Sequence, residues 1–329
     1  SPLDVVNPRD MREPGLADLD DIRVPVLATR VGWFSGNHRV EAMVTHEAHW
    51  GFRNPPLGPF SPFPTLIEQN PIAKSAGVVD KMRRDDVDFA DTPGHLSTDG
   101  FQYLLRWVRK GAGADLGLYA GSVIDRQGVI SGFTQKEQGQ LIAKSLNDTT
   151  DEIRLNMAHL RYAIFGTSGA VTYRSFLIKW ELALHKSHPY NFGTFSSVST
   201  VRCDQLDTML GVTYTGVSNT MIGLEASKAT LLDLNDALLF PIDAPFIMLR
   251  VSHNALRERL KLMAVASMIG ETAQYGWLAR ANATYELADG YKVSLGYITY
   301  QPTEKISPFA GLDRHDRVMA QFRWDFQLM

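Results

Sequence analysis

Arg317-Val318-Met319-Ala320-Gln321-Phe322-Arg323-Trp324-Asp325-Phe326 is the stretch that decides the fold. Val318, Ala320, Phe322, Trp324 and Phe326 fall on one face, and Arg317, Met319, Gln321, Arg323 and Asp325 on the other. Period-2 alternation over about ten residues is the length at which a tilted strand crosses hydrocarbon, and aromatics gathered toward its end suit a girdle at the headgroups. One such segment fits a soluble sandwich equally well. Recurrence is what separates the two.

The pattern recurs along the chain. Trp277, Ala279, Ala281, Ala283, Tyr285 and Leu287 oppose Leu278, Arg280, Asn282, Thr284 and Glu286. After the tight-turn signal Ala288-Asp289-Gly290, Tyr291, Val293, Leu295 and Tyr297 oppose Lys292, Ser294 and Gly296. Phe176, Ile178, Trp180, Leu182 and Leu184 alternate with Lys179 and Glu181, and Val40, Ala42 and Val44 with Arg39, Glu41 and Met43.

Strands are expected near Val26 to Phe34, Arg39 to His49, Phe101 to Arg109, Asp115 to Ile124, Glu152 to Phe165, Ala170 to His185, Asp204 to Thr215, Thr220 to Leu231, Phe246 to His253, Arg257 to Met268, Gly276 to Leu287, Tyr291 to Tyr300 and Arg317 to Phe326, about thirteen in all. The links alternate in length. Ser35 to Asn37, Lys110 to Ala114, Gly166 to Gly169, Gly216 to Asn219 and Asn254-Ala255 are short. Gly51 to Gly100, Asp125 to Asp151, Lys186 to Cys203, Leu232 to Pro245 and Gln301 to Asp316 are long, with Ile269 to Tyr275 between. Short periplasmic turns and long extracellular loops define an all-β, antiparallel, up-and-down transmembrane barrel. The expectation is one domain over residues 1–329 in the bacterial outer membrane, with 51–100 as a long extracellular or inward-folded loop.

Composition looks like that of a soluble protein: 44% hydrophobic, 21% charged, net charge −3. A barrel strand gives only half its residues to lipid, so this carries little weight, and no apolar run reaches the roughly 18 residues of a membrane helix. The single Cys203 provides neither a disulfide framework nor a metal cluster. Closed bacterial barrels have an even number of strands, so an odd count leads us to expect at least 14 in the complete protein, an N-terminal truncation, and residues Ser1 to Arg23 on the extracellular side.

Ser1-Pro2-Leu3-Asp4-Val5-Val6-Asn7-Pro8-Arg9-Asp10, followed by Arg12-Glu13-Pro14-Gly15 and Arg23-Val24-Pro25-Val26, resembles a segment of a proteobacterial outer-membrane family of unknown function. The resemblance continues through Trp180-Glu181-Leu182-Ala183, Gly223-Leu224-Glu225-Ala226 and Tyr285-Glu286-Leu287-Ala288-Asp289-Gly290 to Asp316-Arg317-Val318. In that family a strand with a glycine-arginine-glutamine and tryptophan-glycine pattern precedes the first segment, and this sequence does not contain it. The resemblance implies a porin-like barrel akin to the alginate-export and phosphate-selective porin families.

An Arg or Lys on the lipid face near midplane costs about 2–4 kcal/mol, so the alternating charges are expected to face the lumen. The candidate solute path comprises Arg39, Glu41, Arg106, Arg161, Lys179, Glu181, Glu225, Arg250, Lys261, Arg280, Lys292 and Arg323. This basic balance favours anions. The bland reading is a self-neutralising network, with Arg161 paired to Lys179 or Glu181 and Lys292 to Arg280 or Glu286 as cross-strand candidates. Met43, Met209, Met221, Met248 and Met263 add an apolar track that suits an amphipathic anion or packs beneath an inward loop. A helix over Lys136 to Leu146 or the 51–100 loop would constrict the pore.

The function expected is passive uptake or export of small anionic, amphipathic solutes. The alternatives are a barrel sheathing a partner such as a cytochrome, and a soluble β-sandwich or lipocalin-like binding protein. No GxSxG, HExxH, P-loop or GxGxxG stands in a suitable context, so neither enzyme activity nor a cofactor nor a metal is expected. Phe322, Trp324 and Phe326 resemble the C-terminal signal read by the barrel-assembly machinery, although Gln327-Leu328-Met329 follow them. The expected partners are outer-membrane lipid and lipopolysaccharide, that machinery and a small solute; nucleic acid is not among them, and homo-oligomerisation is left open.

Overall fold

The computed structural model describes the chain apart from residues 1–2, 14, 16–21, 56, 62, 69–70, 76, 78, 81–86, 93–97, 131–152, 195–196, 233–242, 304–307 and 327–329. The described strands are β1 (Ala28–Ser35), β2 (His38–Thr45), β3 (Val87–Thr92), β4 (Gln102–Lys110), β5 (Ala114–Ile124), β6 (Val129–Ile130), β7 (Ile153–Ala158), β8 (Arg161–Tyr173), β9 (Phe176–Thr194), β10 (Ser197–Tyr214), β11 (Thr220–Leu231), β12 (Phe246–Ala255), β13 (Leu260–Ile269), β14 (Trp277–Ala288), β15 (Tyr291–Gln301) and β16 (Arg317–Trp324). Thirteen of them form one sheet in chain order, β1-β2-β4-β5 and then β8 through β16, every neighbour antiparallel. Strands β3, β7 and β6 make a small separate sheet in which β3 and β7 are parallel.

Register carries the two-faced pattern from strand to strand. Leu105, Leu118, Phe165, Leu182, Leu210, Leu224, Leu249, Leu262, Leu295 and Phe322 occupy the outer face of ten strands, and all stand exposed. A patch of that extent is far larger than a soluble monomer leaves to water, so the outer face is a hydrocarbon-facing surface. Trp33, Trp107, Tyr173, Phe176, Tyr214, Tyr285, Tyr291 and Trp324 share this face close to the short-turn rim, with the Tyr291 and Trp324 rings stacked at 5.9 Å. These rings form an interfacial girdle. A soluble sandwich or lipocalin is thereby set aside, because neither turns its apolar face outward.

The sheet is open. Strand β1 pairs with β2 alone and β16 with β15 alone among the described residues. With thirteen antiparallel strands the two edges run in the same direction, so antiparallel closure takes an odd number of further strands and direct closure takes a parallel pair.

Three sequence expectations change. Gly166 to Gly169 is no turn; these residues lie within β8, and the chain reverses at Arg174-Ser175, where Arg174 takes φ 52°. Both glycines are there for close approach: Leu3 occupies the space of a Cβ on Gly166, and the Trp180 ring that of a Cβ on Gly169. Lys186 to Cys203 is no loop either, since β9 and β10 run on as a long hairpin, with a bulge at Ser187 (φ 58°) facing Asp204. The strand expected over Glu152 to Phe165 is divided at His159-Leu160 between β7 of the small sheet and β8. The helix expected at Lys136 to Leu146 lies outside the described residues. Within 51–100, short helices α1 (Phe63–Glu68) and α2 (Pro71–Ser75) were not anticipated.

Candidate functional site on the inner face

Opposite the apolar belt, two groups of arginines stand on the inner face. On the first strands Gly32, Glu41, Arg106, Tyr119 and Gly166 form one cross-strand row, flanked by Phe34 to Arg39 and Arg30 to Met43. Glu41 lies at the centre, 6% exposed, with Arg39 at 2.5 Å, Arg30 at 3.5 Å and Arg106 at 3.7 Å. One carboxylate is thus shared by three guanidiniums, and the group keeps an excess of two positive charges. Arg39 Nε is buried without a hydrogen-bond partner among the described residues. Arg39 also stacks on Phe34 at 4.9 Å and Arg106 on Tyr119 at 5.6 Å.

The second group is a row. Gly223, Arg250, Val265, Arg280, Ile298 and Arg317 oppose one another in succession across β11 to β16. Alternate strands are about 9–10 Å apart, so three guanidiniums are spaced evenly, with apolar residues between them. Arg250 Nε is buried and unpartnered among the described residues, and Arg317 reaches Glu13 at 3.3 Å.

A strap formed by the start of the chain crosses this inner face, a placement sequence reasoning missed. Leu3 packs on Gly166 and donates its backbone N–H to Glu181 at 3.4 Å. Leu3 and Val5 cover Val123, Tyr162, Ile164 and Ala183. Arg126 donates to the Asn7 carbonyl, Arg9 and Asp10 bridge to Arg23 and Phe52, and Gly15 meets Leu278 and Ile298. The segment expected above the rim therefore lies over the inner face. Phe60 covers the Leu278, Ile298 and Tyr300 cluster beneath Arg317, so apolar inner residues pack under an inward segment there. Leu3 and Val5 flank Asp4 at the spacing of a strand, a signal too short to have revealed the strap.

Burial pushes the Asp4 carboxyl up, but hydrogen bonds and charge from Arg9 at 2.9 Å and Arg23 at 3.3 Å outweigh it and hold the group below its ordinary value. A lowered folded pKa means this anchor is fully present above the unfolded value of about 3.8 and is lost as pH falls through the folded one. Asp4→Asn is expected to remove about 1–3 kcal/mol of strap anchoring at neutral pH. Trypsin should then cut at Arg9 and Arg12 faster in the variant at pH 7; equal cleavage rates would mean that Asp4 anchors nothing. Burial lowers the Arg126 guanidinium to about 10, still charged at neutral pH.

The other expected residues sort as follows. Lys179, Glu181, Glu225, Lys261, Lys292 and Arg323 lie on the inner face. Arg161 does not. It shares the outer face with Ala163 and Phe165 at the long-loop end, and there it binds the Phe101 carbonyl at 2.6 Å and Ser122. Its strand position is one register step from the lumen series, so the expected pairing with Lys179 or Glu181 does not form. Lys292 faces Glu286 in the ladder, yet its ammonium binds Asp325 at 3.1 Å, beside Arg323 at 2.6 Å.

Met43 sits beside Leu104, whereas Met209 faces Glu181, Met248 faces Glu225, and Met221 and Met263 both face Ser252. The methionines are thus interleaved with polar groups, and no continuous apolar track forms. Sequence reading also missed Tyr162, His185, His188 and Tyr190, an aromatic cluster near the long-loop end in which His185 Nε2 lies 3.2 Å from Asp207. In an unbroken strand residues 185 and 188 fall on opposite faces; the bulge at Ser187 brings the two histidines onto one face, which alternation alone could not show. No group of described residues is arranged to hold a metal.

No family profile and no curated protein matches the chain. Among solved structures, an engineered variant of the Rh. blastica porin is 14% identical, covering 91% of this chain and 77% of that one at a TM-score of 0.41. Outer-membrane expressed OmpT of Vibrio cholerae is 10% identical over 85% and 82% at 0.38, and a KdgM porin 9% identical over 70% and 94% at 0.27. These are likenesses of strand layout, all to outer-membrane barrels. The functional reading rests on the chain's own inner face.

Proposed function

We propose that the protein is an outer-membrane, porin-like channel that passes small anionic, amphipathic solutes without catalysis. The observation that carries this is the pair of arginine groups on the inner face, Arg30, Arg39 and Arg106 around one carboxylate and Arg250, Arg280 and Arg317 in a row. Cationic groups lining a narrow aqueous path raise local anion concentration and slow cations. Reversal potentials in a salt gradient test the reading: anion preference is expected, and clear cation preference refutes it. The cytochrome-sheath reading predicts a copurifying haem protein. The strap and Phe60, which occupy part of the inner space such a partner would need, disfavour it.

Assembly draws on the last strand. Tyr291, Phe322, Trp324 and Phe326 stack in a run on the outer face, as a strand signal read by the assembly machinery would require. Phe326→Asp is expected to lower membrane yield and the heat-modifiable gel shift. Unchanged values for both would remove Phe326 from that role.

A further inference from the structure

Between the strap and the first strands lies a cavity of about 210 Å³, lined by Leu3, Val5 and Val6 on one wall and on the other by Arg30 and Arg106 with the Glu41 carboxylate they share, beside Met43, Leu104 and Ile164. Liquid water takes up about 30 Å³ per molecule, so the space holds an organic group of several heavy atoms. Its chemistry is divided. Arg30 and Arg106 stand half in solvent with donors beyond those used on Glu41, while the strap side is wholly apolar.

We infer that this cavity is a binding seat for small monocarboxylates with an unbranched apolar body, completed by the N-terminal strap. The inference rests on the anion-channel reading above and sharpens it to a substrate class. A carboxylate matches the guanidinium fork in geometry and charge. A second charge on the solute would be driven against Leu3, Val5 and Val6, where nothing pairs with it. An inorganic anion such as phosphate makes no use of the apolar wall. A cation meets the Arg30 and Arg106 guanidiniums, whose charge together exceeds that of Glu41. Because Leu3, Val5 and Val6 of the strap form one side of the seat, bound solute holds the strap down, and occupancy of this one seat saturates conduction with substrate. Tyr119 is fixed for this arrangement by its hydroxyl contact with Ser168 at 3.0 Å, which leaves its ring face to Arg106.

The test is titration of channel current in planar bilayers with acetate, hexanoate, succinate, phosphate and hexylamine on the unsubstituted protein. Each methylene buried is worth roughly fourfold in affinity, and partial burial of the four added to acetate should make hexanoate block at a concentration roughly tenfold or more below it. Succinate, phosphate and hexylamine should all be weaker than hexanoate. Arg106→Met and Val5→Asp should each weaken hexanoate block roughly tenfold or more. Equal potency of hexanoate with phosphate or succinate would overturn the inference while leaving an anion channel standing. Block by hexylamine as strong as by hexanoate would overturn it too. Cation selectivity of the unsubstituted channel would instead sink the reading beneath it. The solute series needs no variant, so a substitution that fails to fold does not decide the outcome.

Discussion

Replacing Arg106, Arg250 and Arg280 together by glutamate is expected to turn an anion-preferring channel into a cation-preferring one, shifting the permeability ratio by roughly an order of magnitude. The three come from both arginine groups, and each substitution changes the local charge by two. Arg106 leaves Arg30 and Arg39 to neutralise Glu41, while Arg250 and Arg280 stand in the same row as Arg317, which reaches Glu13. If these side chains only hold neighbouring strands in register, stability falls and selectivity stays where it was. Reversal potentials and melting of the same preparation separate the two outcomes.

Glu41→Ala is the second large effect, and it acts on stability. The carboxylate is buried among three guanidiniums, and its removal leaves Arg30, Arg39 and Arg106 repelling one another across adjacent strands. Breaking a fully buried pair costs about 3–5 kcal/mol; here Arg30 and Arg106 keep much of their solvent, so about 2–3 kcal/mol is expected. Denaturant midpoints of the folded protein in detergent measure it. Anion preference should rise in the same variant, since the positive excess grows from two to three. A midpoint within error of the unsubstituted protein would show that the carboxylate is merely solvated.

The sheet was legible because a strand with one face in lipid and one in water writes its period into the sequence. Strand β11 was read to the residue, Thr220 to Leu231, and the inner positions of Arg39, Lys179, Arg250, Arg280 and Arg323 followed from alternation alone. What alternation cannot report is who lies over a position. Gly166 and Gly169 read as turn residues because glycine's need for space is the same in a turn and beneath Leu3 or Trp180. Arg161 was misplaced because the strand it belongs to begins only there, and the preceding residues keep a separate register in β7. The strap was unreadable for a related reason: its position is set by contacts with Glu181, Arg126 and Arg317, from 119 to 304 residues distant in sequence.

The claim on which the rest depends is that one face of this sheet meets hydrocarbon and the other water. Single cysteines placed along β14 in a Cys203→Ser background, with the protein folded into lipid vesicles, test it residue by residue. Positions Ala279, Ala281 and Ala283 should resist a charged, water-soluble thiol reagent, and positions Asn282 and Thr284, half-buried on the inner face, should react with it. Equal reaction on both sets of positions would mean that water reaches both faces, and the membrane-spanning barrel would fall with it.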